Sequence, residues 1–328
     1  MGMNYRRAFL RTLAGVLAMP RVTLSQESAR TYRLGWLSSA APRTESYNVA
    51  FAQRLRELGF VEGRNLVIEF RNAEGRSERL PDLAADLGRQ NCDVLIAPGG
   101  EPVLAAIKQA SRDTPIVVFA GDYDPAAAGH VASLARPGGR ITGVSVLQTE
   151  LPAKRLELLK EVLPNVKRIA VLGDIATGEQ LSVARVGAKH LGLELHPYEF
   201  RHAPYDYDHA FAEFVRANAE ALMGLASAFF TRSRRQISAL ALEHRLPSIF
   251  NNYLWAEQGG LLSYGPNFPH MFRRAAEMAG MILNGAKPAE IPVEQATTFE
   301  LVINLKTARA LAIAIPASIR LRAERVIE

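Results

Sequence analysis

Arg33-Leu34-Gly35-Trp36-Leu37 is echoed further along the chain by Arg168-Ile169-Ala170-Val171-Leu172. Around this pair other landmarks return in the same order. Leu55-Arg56-Glu57-Leu58-Gly59 is matched by Ala188-Lys189-His190-Leu191-Gly192, and Ile68-Glu69-Phe70-Arg71 by Tyr198-Glu199-Phe200-Arg201. Thr114-Pro115-Ile116-Val117-Val118-Phe119 is answered by Leu246-Pro247-Ser248-Ile249-Phe250. A fixed order at nearly constant offset means two lobes of one architecture. Two like lobes in one chain enclose a cleft, and such clefts hold small ligands.

Between the landmarks, strands and helices alternate. Apolar runs read as strands at Leu34–Leu37, Leu66–Phe70, Val94–Ala97 and Ile116–Phe119, then at Ile169–Leu172, Leu193–Phe200, Ala221–Leu225 and Ser248–Phe250. Phe51, Leu55 and Leu58 share one helical face, as do Leu80, Leu83 and Leu87. A further helix opens at Pro152 and stops before Pro164, with Leu156, Leu159 and Leu163 along it. Short apolar strands between amphipathic helices imply parallel sheets covered on both faces. The expected fold class is therefore α/β, with two doubly wound Rossmann-like lobes and ligand loops at the carboxyl ends of the strands. Three segments offer crossings between lobes: Ile141–Val146 after Arg136-Pro137-Gly138-Gly139, Gly259–Pro266, and the stretch from Gly285 to Pro288. They predict a three-strand hinge, with residues 31–142 plus 266–288 as lobe 1 and 145–264 plus 291–328 as lobe 2.

Composition fits a globular protein of about two domains. Hydrophobic residues make up 48% and charged residues 22% of the 328, and no apolar run is long enough to span a bilayer. Four of the six net positive charges, Arg6, Arg7, Arg11 and Arg21, precede the first acid, Glu27. The remainder is close to neutral, so charge gives no argument for nucleic-acid binding. Arg232, Arg234 and Arg235 read as a solvated helix face. Tyr5-Arg6-Arg7-Ala8-Phe9-Leu10 and the apolar stretch Leu13–Met19 form a twin-arginine pattern, with a cut expected after Ser25, so residues 1–25 are a signal peptide. Cys92 is the one cysteine; it excludes a disulfide framework and reads as an inert buried thiol.

The loops after the strands supply the candidate site. Ser38 and Ser39 follow the first strand as short donors. Gly99-Gly100-Glu101-Pro102 opens a helix whose free N–H groups suit an anion such as a carboxylate; an ordinary strand-to-helix turn is the alternative. In Asp122-Tyr123-Asp124-Pro125 an acid suits a cationic amine and Tyr123 suits an apolar group, although Asp124 equally reads as a cap of the next turn. The second lobe offers Asp174, Ser227, Asn251 and Tyr253 in equivalent loops.

Enzymatic readings lose their support. Gly173-Asp174-Ile175-Ala176-Thr177-Gly178 has phosphate-loop glycine spacing but continues with Glu179-Gln180, without the Lys and hydroxyl that bind phosphate and Mg²⁺. The first strand runs into Ser38-Ser39-Ala40-Ala41-Pro42 instead of a dinucleotide-binding turn. The histidines lack metal-ligand spacing, and no nucleophile elbow is present.

Residues 31–328 resemble the substrate-binding proteins of bacterial ABC uptake systems, related to the tryptophan and tyrosine-type receptors. The stretches that carry the resemblance are Leu55–Gly63, Asp124-Pro125 with Ala128–Val131, Ser133–Gly139 with Thr142-Gly143, Lys154–Lys160, Gly259–Leu261 with Ser263–Pro266, and Phe299–Ala308. The resemblance implies a type I periplasmic-binding fold that closes like a flytrap on a small polar or aromatic, amino-acid-like ligand. It also implies a periplasmic, monomeric receptor without metal or cofactor, touching the membrane only through a separately encoded permease and ATPase. The sequence departs from the family at two points. Glu101 stands where relatives often carry a small hydroxyl residue, and no acid lies near Ser227 or Asn252, where amino-acid-binding relatives tend to have one. A polyol, a sugar-like solute or a neutral aromatic acid thus stays open as ligand. The alternatives from other classes are a ligand-sensing module for a signalling partner and a doubly wound enzyme.

Overall fold

The computed structural model describes residues 30–146 and 148–328; the twin-arginine leader lies outside them. In chain order the first strands are β1 (Tyr32–Ser38), β2 (Leu66–Asn72), β3 (Val94–Gly99), β4 (Ile116–Ala120) and β5 (Ile141–Ser145). They are followed by β6 (Arg168–Asp174), β7 (Glu194–Phe200), β8 (Ala221–Gly224), β9 (Ser248–Phe250) and β10 (Leu262–Pro266). The last three are β11 (Glu294–Gln295), β12 (Phe299–Asn304) and β13 (Arg325–Ile327).

One sheet runs β2-β1-β3-β4-β5-β11 and the other β7-β6-β8-β9-β10-β12-β13. Five strands of each therefore follow the same spatial order; three of the four repeated landmarks fall on matching strands and the fourth on matching helix ends. The first sheet is wholly parallel. In the second, β12 runs antiparallel to β10, a departure from the expected parallel pairing. β12 and the edge strand β13 extend this sheet beyond the strands that the apolar runs predict.

Each sheet is packed on both faces, which is why its central strands are apolar throughout. Helices Ser46–Glu57 and Phe268–Leu283 cover one face of the first sheet around Trp36, Phe51, Leu55, Met271 and Phe272. Helices Leu80–Arg89 and Glu101–Ala110 cover the other, around Leu87, Leu104 and Ile107. Leu58 leaves its expected face because the first helix ends at Glu57; it is 39% exposed. Cys92 is half-buried, and that burial lifts its thiol to about 11, so it stays protonated.

The helices reveal how the lobes are interlocked. Pro152–Val162 follows β5 of the first sheet but packs into the second core, whereas Phe268–Leu283 follows β10 of the second sheet and packs into the first. The third crossing comes after β11. Glu294 and Gln295 pair with Val144 and Ser145, and Arg274 holds the Glu294 carboxylate at 2.6 and 2.9 Å. Residues 294 and 295 thus belong to the first sheet, beyond the boundary expected at 288.

Candidate functional site

The carboxyl ends of both sheets face one cavity of about 480 Å³. From the first lobe come Ser38 and Ser39 at the end of β1, Gly99 and Gly100 at the end of β3, and Asp122 after β4. From the second come Ser227 after β8 and Asn251 after β9. The turns that present them are built locally. Ser227 caps the short helix Ala228–Arg232 by accepting the Phe229 N–H at 3.2 Å, and Asn252 caps Tyr253–Glu257 through the Leu254 N–H at 3.1 Å.

Asp122 is the centre of the electrostatics. Its carboxylate lies against Gly100, where an added Cβ would stand 2.9 Å from Oδ2. The backbone at Asp122 itself and at Glu101 favours the ionised form of this carboxylate. The Asp122 carboxylate thus stands beside Gly100, the residue that precedes the Glu101–Ala110 helix. Burial dominates, with Asp174 and Glu101 adding repulsion, and lifts Asp122 from 3.8 to about 6. Its Oδ1 has no hydrogen-bond partner.

Asp174 is buried behind the cavity wall and takes no place in the lining. It accepts from Ser227 Oγ at 2.5 Å and from the Ala176 N–H at 3.1 Å, so it holds Ser227 in position. Burial raises its pKa against the pull of those bonds. The remaining expected residues lie outside the lining. Glu101 pairs with His130 Nε2 at 2.7 Å, and Tyr123 stands edge-on to the same ring at 5.8 Å. Asp124 accepts the N–H groups of Ala126 and Ala127 at 2.7 and 3.2 Å, the capping arrangement. Tyr253 bridges the lobes instead, through its hydroxyl to Ser46 Oγ.

Other residues complete the site. Tyr47, Phe119, Phe268 and Phe272 make an aromatic wall, with Phe272 centred 4.3 Å from Phe119 and 4.7 Å from Tyr47. Phe268 and Phe272 show a helical i, i+4 signal, but nothing in the sequence says that their helix crosses to the other lobe. Glu45 and Arg234 meet across the cleft at 3.0 Å, both largely buried. Arg232 donates to the Glu74 carbonyl, also across the cleft. These two arginines are thus interlobe contacts and not a solvated face.

Several lining side chains are left with free polar atoms. Asn48 Oδ1, Asp122 Oδ1 and Asn251 Oδ1 lack donors, while Gln148 Nε2 and Arg234 Nε lack acceptors. Buried polar atoms are nearly always paired, so a group of unpartnered ones on residues around one cavity marks its wall as polar as well as aromatic. Among the described residues no cluster of His, Cys, Asp and Glu could hold a metal ion, and no helix is long and apolar enough to cross a membrane.

Comparison with known proteins gives consistent matches. The family described as ABC transporter substrate binding protein matches residues 44–327. A tyrosine-binding protein of Clostridioides difficile is 27% identical over 82% of this chain and 77% of its own length. A conserved domain protein from Vibrio cholerae superposes with a TM-score of 0.82 at 25% identity, covering 90% of this chain and 100% of that one. An ABC domain from Streptococcus pneumonia in complex with L-Trp gives 0.80 at 24%, over 90% and 100% of the two chains.

Proposed function

The chain belongs to the ABC transporter substrate-binding proteins, and from that premise we propose that its cleft captures a zwitterionic α-amino acid with an aromatic or large apolar side chain. Proteins of this family bind small molecules and work with a permease and an ATPase, and they are typically extracytoplasmic. For this chain the Arg6-Arg7 leader supports export to the periplasm by the twin-arginine route, and the absence of catalytic spacing supports a receptor that turns nothing over.

The observation that carries the ligand reading is the set of unpartnered atoms beside the aromatic wall. An ammonium group has only donors and suits the three free acceptors, with Asp122 supplying the counter-charge. A carboxylate has only acceptors and suits the free N–H groups of Gln148 and Arg234. Tyr47, Phe119, Phe268 and Phe272 then offer ring faces and edges to an apolar side chain. The similarity to a tyrosine-binding relative supports the same class.

Isothermal titration with L-tyrosine, tyramine and 3-(4-hydroxyphenyl)propionate tests the reading. L-Tyrosine is expected to bind, and loss of its ammonium in the propionate to weaken binding at least about tenfold, ~1.4 kcal/mol. Equal binding of the propionate, or saturation by a polyol with no response to amino acids, would overturn it.

A further inference from the structure

Gln148 lies on the first crossing between the lobes, between β5 and the helix Pro152–Val162. It is 2% exposed and lines the cavity. Its Oε1 accepts from an Arg155 NH2 nitrogen at 2.6 Å. A guanidinium has donors only, so it fixes which end of the amide faces it. The carbonyl must turn toward Arg155, and the NH₂ group is left on the other side without a partner.

Arg155 itself is fully buried, and among the described residues it forms no salt bridge. Its Nε donates to the Tyr264 carbonyl at 2.9 Å, on the strand that leads into the second crossing. One guanidinium therefore joins two of the three interlobe connections. Burial draws it down to about 9, so it remains charged at neutral pH. A buried cation held by neutral acceptors alone is costly, and the amide between it and the cavity passes its polarisation on to whatever the NH₂ group meets.

We infer that Gln148 is the hinge-borne donor that selects the ligand's carboxylate, and that Arg155 is the positioning residue that aims and polarises it. This deepens the amino-acid reading and rests on it. A ligand carboxylate seated on Gln148 completes the Arg155–Gln148–ligand chain at the crossing itself, so its binding bears on the geometry of two crossings at once.

The test compares L-tyrosine with L-tyrosinamide, which keeps the ammonium and ring but lacks the carboxylate. Wild type is expected to prefer tyrosine at least about tenfold, as a site built to hydrogen-bond a group rejects the analogue without it. Gln148→Glu places a carboxylate beside Arg155. The variant is expected to keep or raise the Tm, through the new ion pair, while losing the preference for tyrosine. Arg155→Met is expected to bring the two affinities to within about threefold, although residue 155 touches no ligand, and Arg155→Lys to restore part of the gap. A Gln148→Glu protein that keeps the wild-type ratio overturns the inference, as does wild type binding both compounds equally well. If wild type binds neither, the amino-acid reading fails and the inference falls with it.

Discussion

Asp122 keeps one carboxylate oxygen without a partner in a cavity wall that burial has already made hostile to charge. Its pKa of about 6 stands above its ordinary 3.8. Between these values the folded protein holds a proton that the unfolded chain has lost, so stability falls as pH rises through that window. Asp122→Asn removes the cost and is expected to raise the Tm of the unliganded protein at pH 7.5 by about 2–4 °C, read by calorimetry. The same variant should lose at least about tenfold in L-tyrosine affinity, since a neutral amide cannot balance an ammonium. In the wild type that ammonium stabilises the ionised acid, so titration near pH 6 should release protons, and affinity should drop as pH falls below about 6. A flat affinity from pH 5 to 8 would remove Asp122 from the site. Asp122 was legible because it directly follows a strongly apolar strand. Glu45 and Arg234 were not, since they come from different lobes and neither lies on a repeated landmark.

At the scale of elements, β5 shows how tightly the first crossing is built. Gly143 has φ of 144°, and an added Cβ would overlap the Val118 carbonyl of the neighbouring strand. Gly143→Ala is expected to cost about 3 kcal/mol or more in urea unfolding, from overpacking and backbone strain together; a loss below about 1 kcal/mol would mean that β4 and β5 can separate there. The parallel strands were readable from sequence because burial on both faces leaves continuous apolar runs. Strands β12 and β13 escaped notice for a physical reason. Their apolar runs are short, Leu301, Val302 and Ile303 between Glu300 and Asn304 in one and Val326 and Ile327 after Arg325 in the other, and neither has a counterpart among the repeated landmarks. The swapped helices were also unreadable, because an amphipathic face does not say which sheet it covers.

Across the whole molecule, the lobes touch through Glu45–Arg234, Ser46–Tyr253 and Arg232–Glu74, contacts that exist only while the lobes are together. Such contacts bias the population between open and closed forms without touching either core. Glu45→Gln is expected to preserve lobe folding and weaken ligand by about tenfold, because the closed form loses its buried pair. Isothermal titration beside a circular dichroism spectrum checks both halves of that statement. The duplicated architecture and the cleft were legible from repeats alone, whereas closure depends on pairs that exist only once the lobes meet. The central claim is that an amino acid held by both lobes draws them together, and small-angle scattering during titration with L-tyrosine tests it most directly. The account predicts a radius of gyration that falls and saturates with ligand; tight binding with no compaction would contradict it.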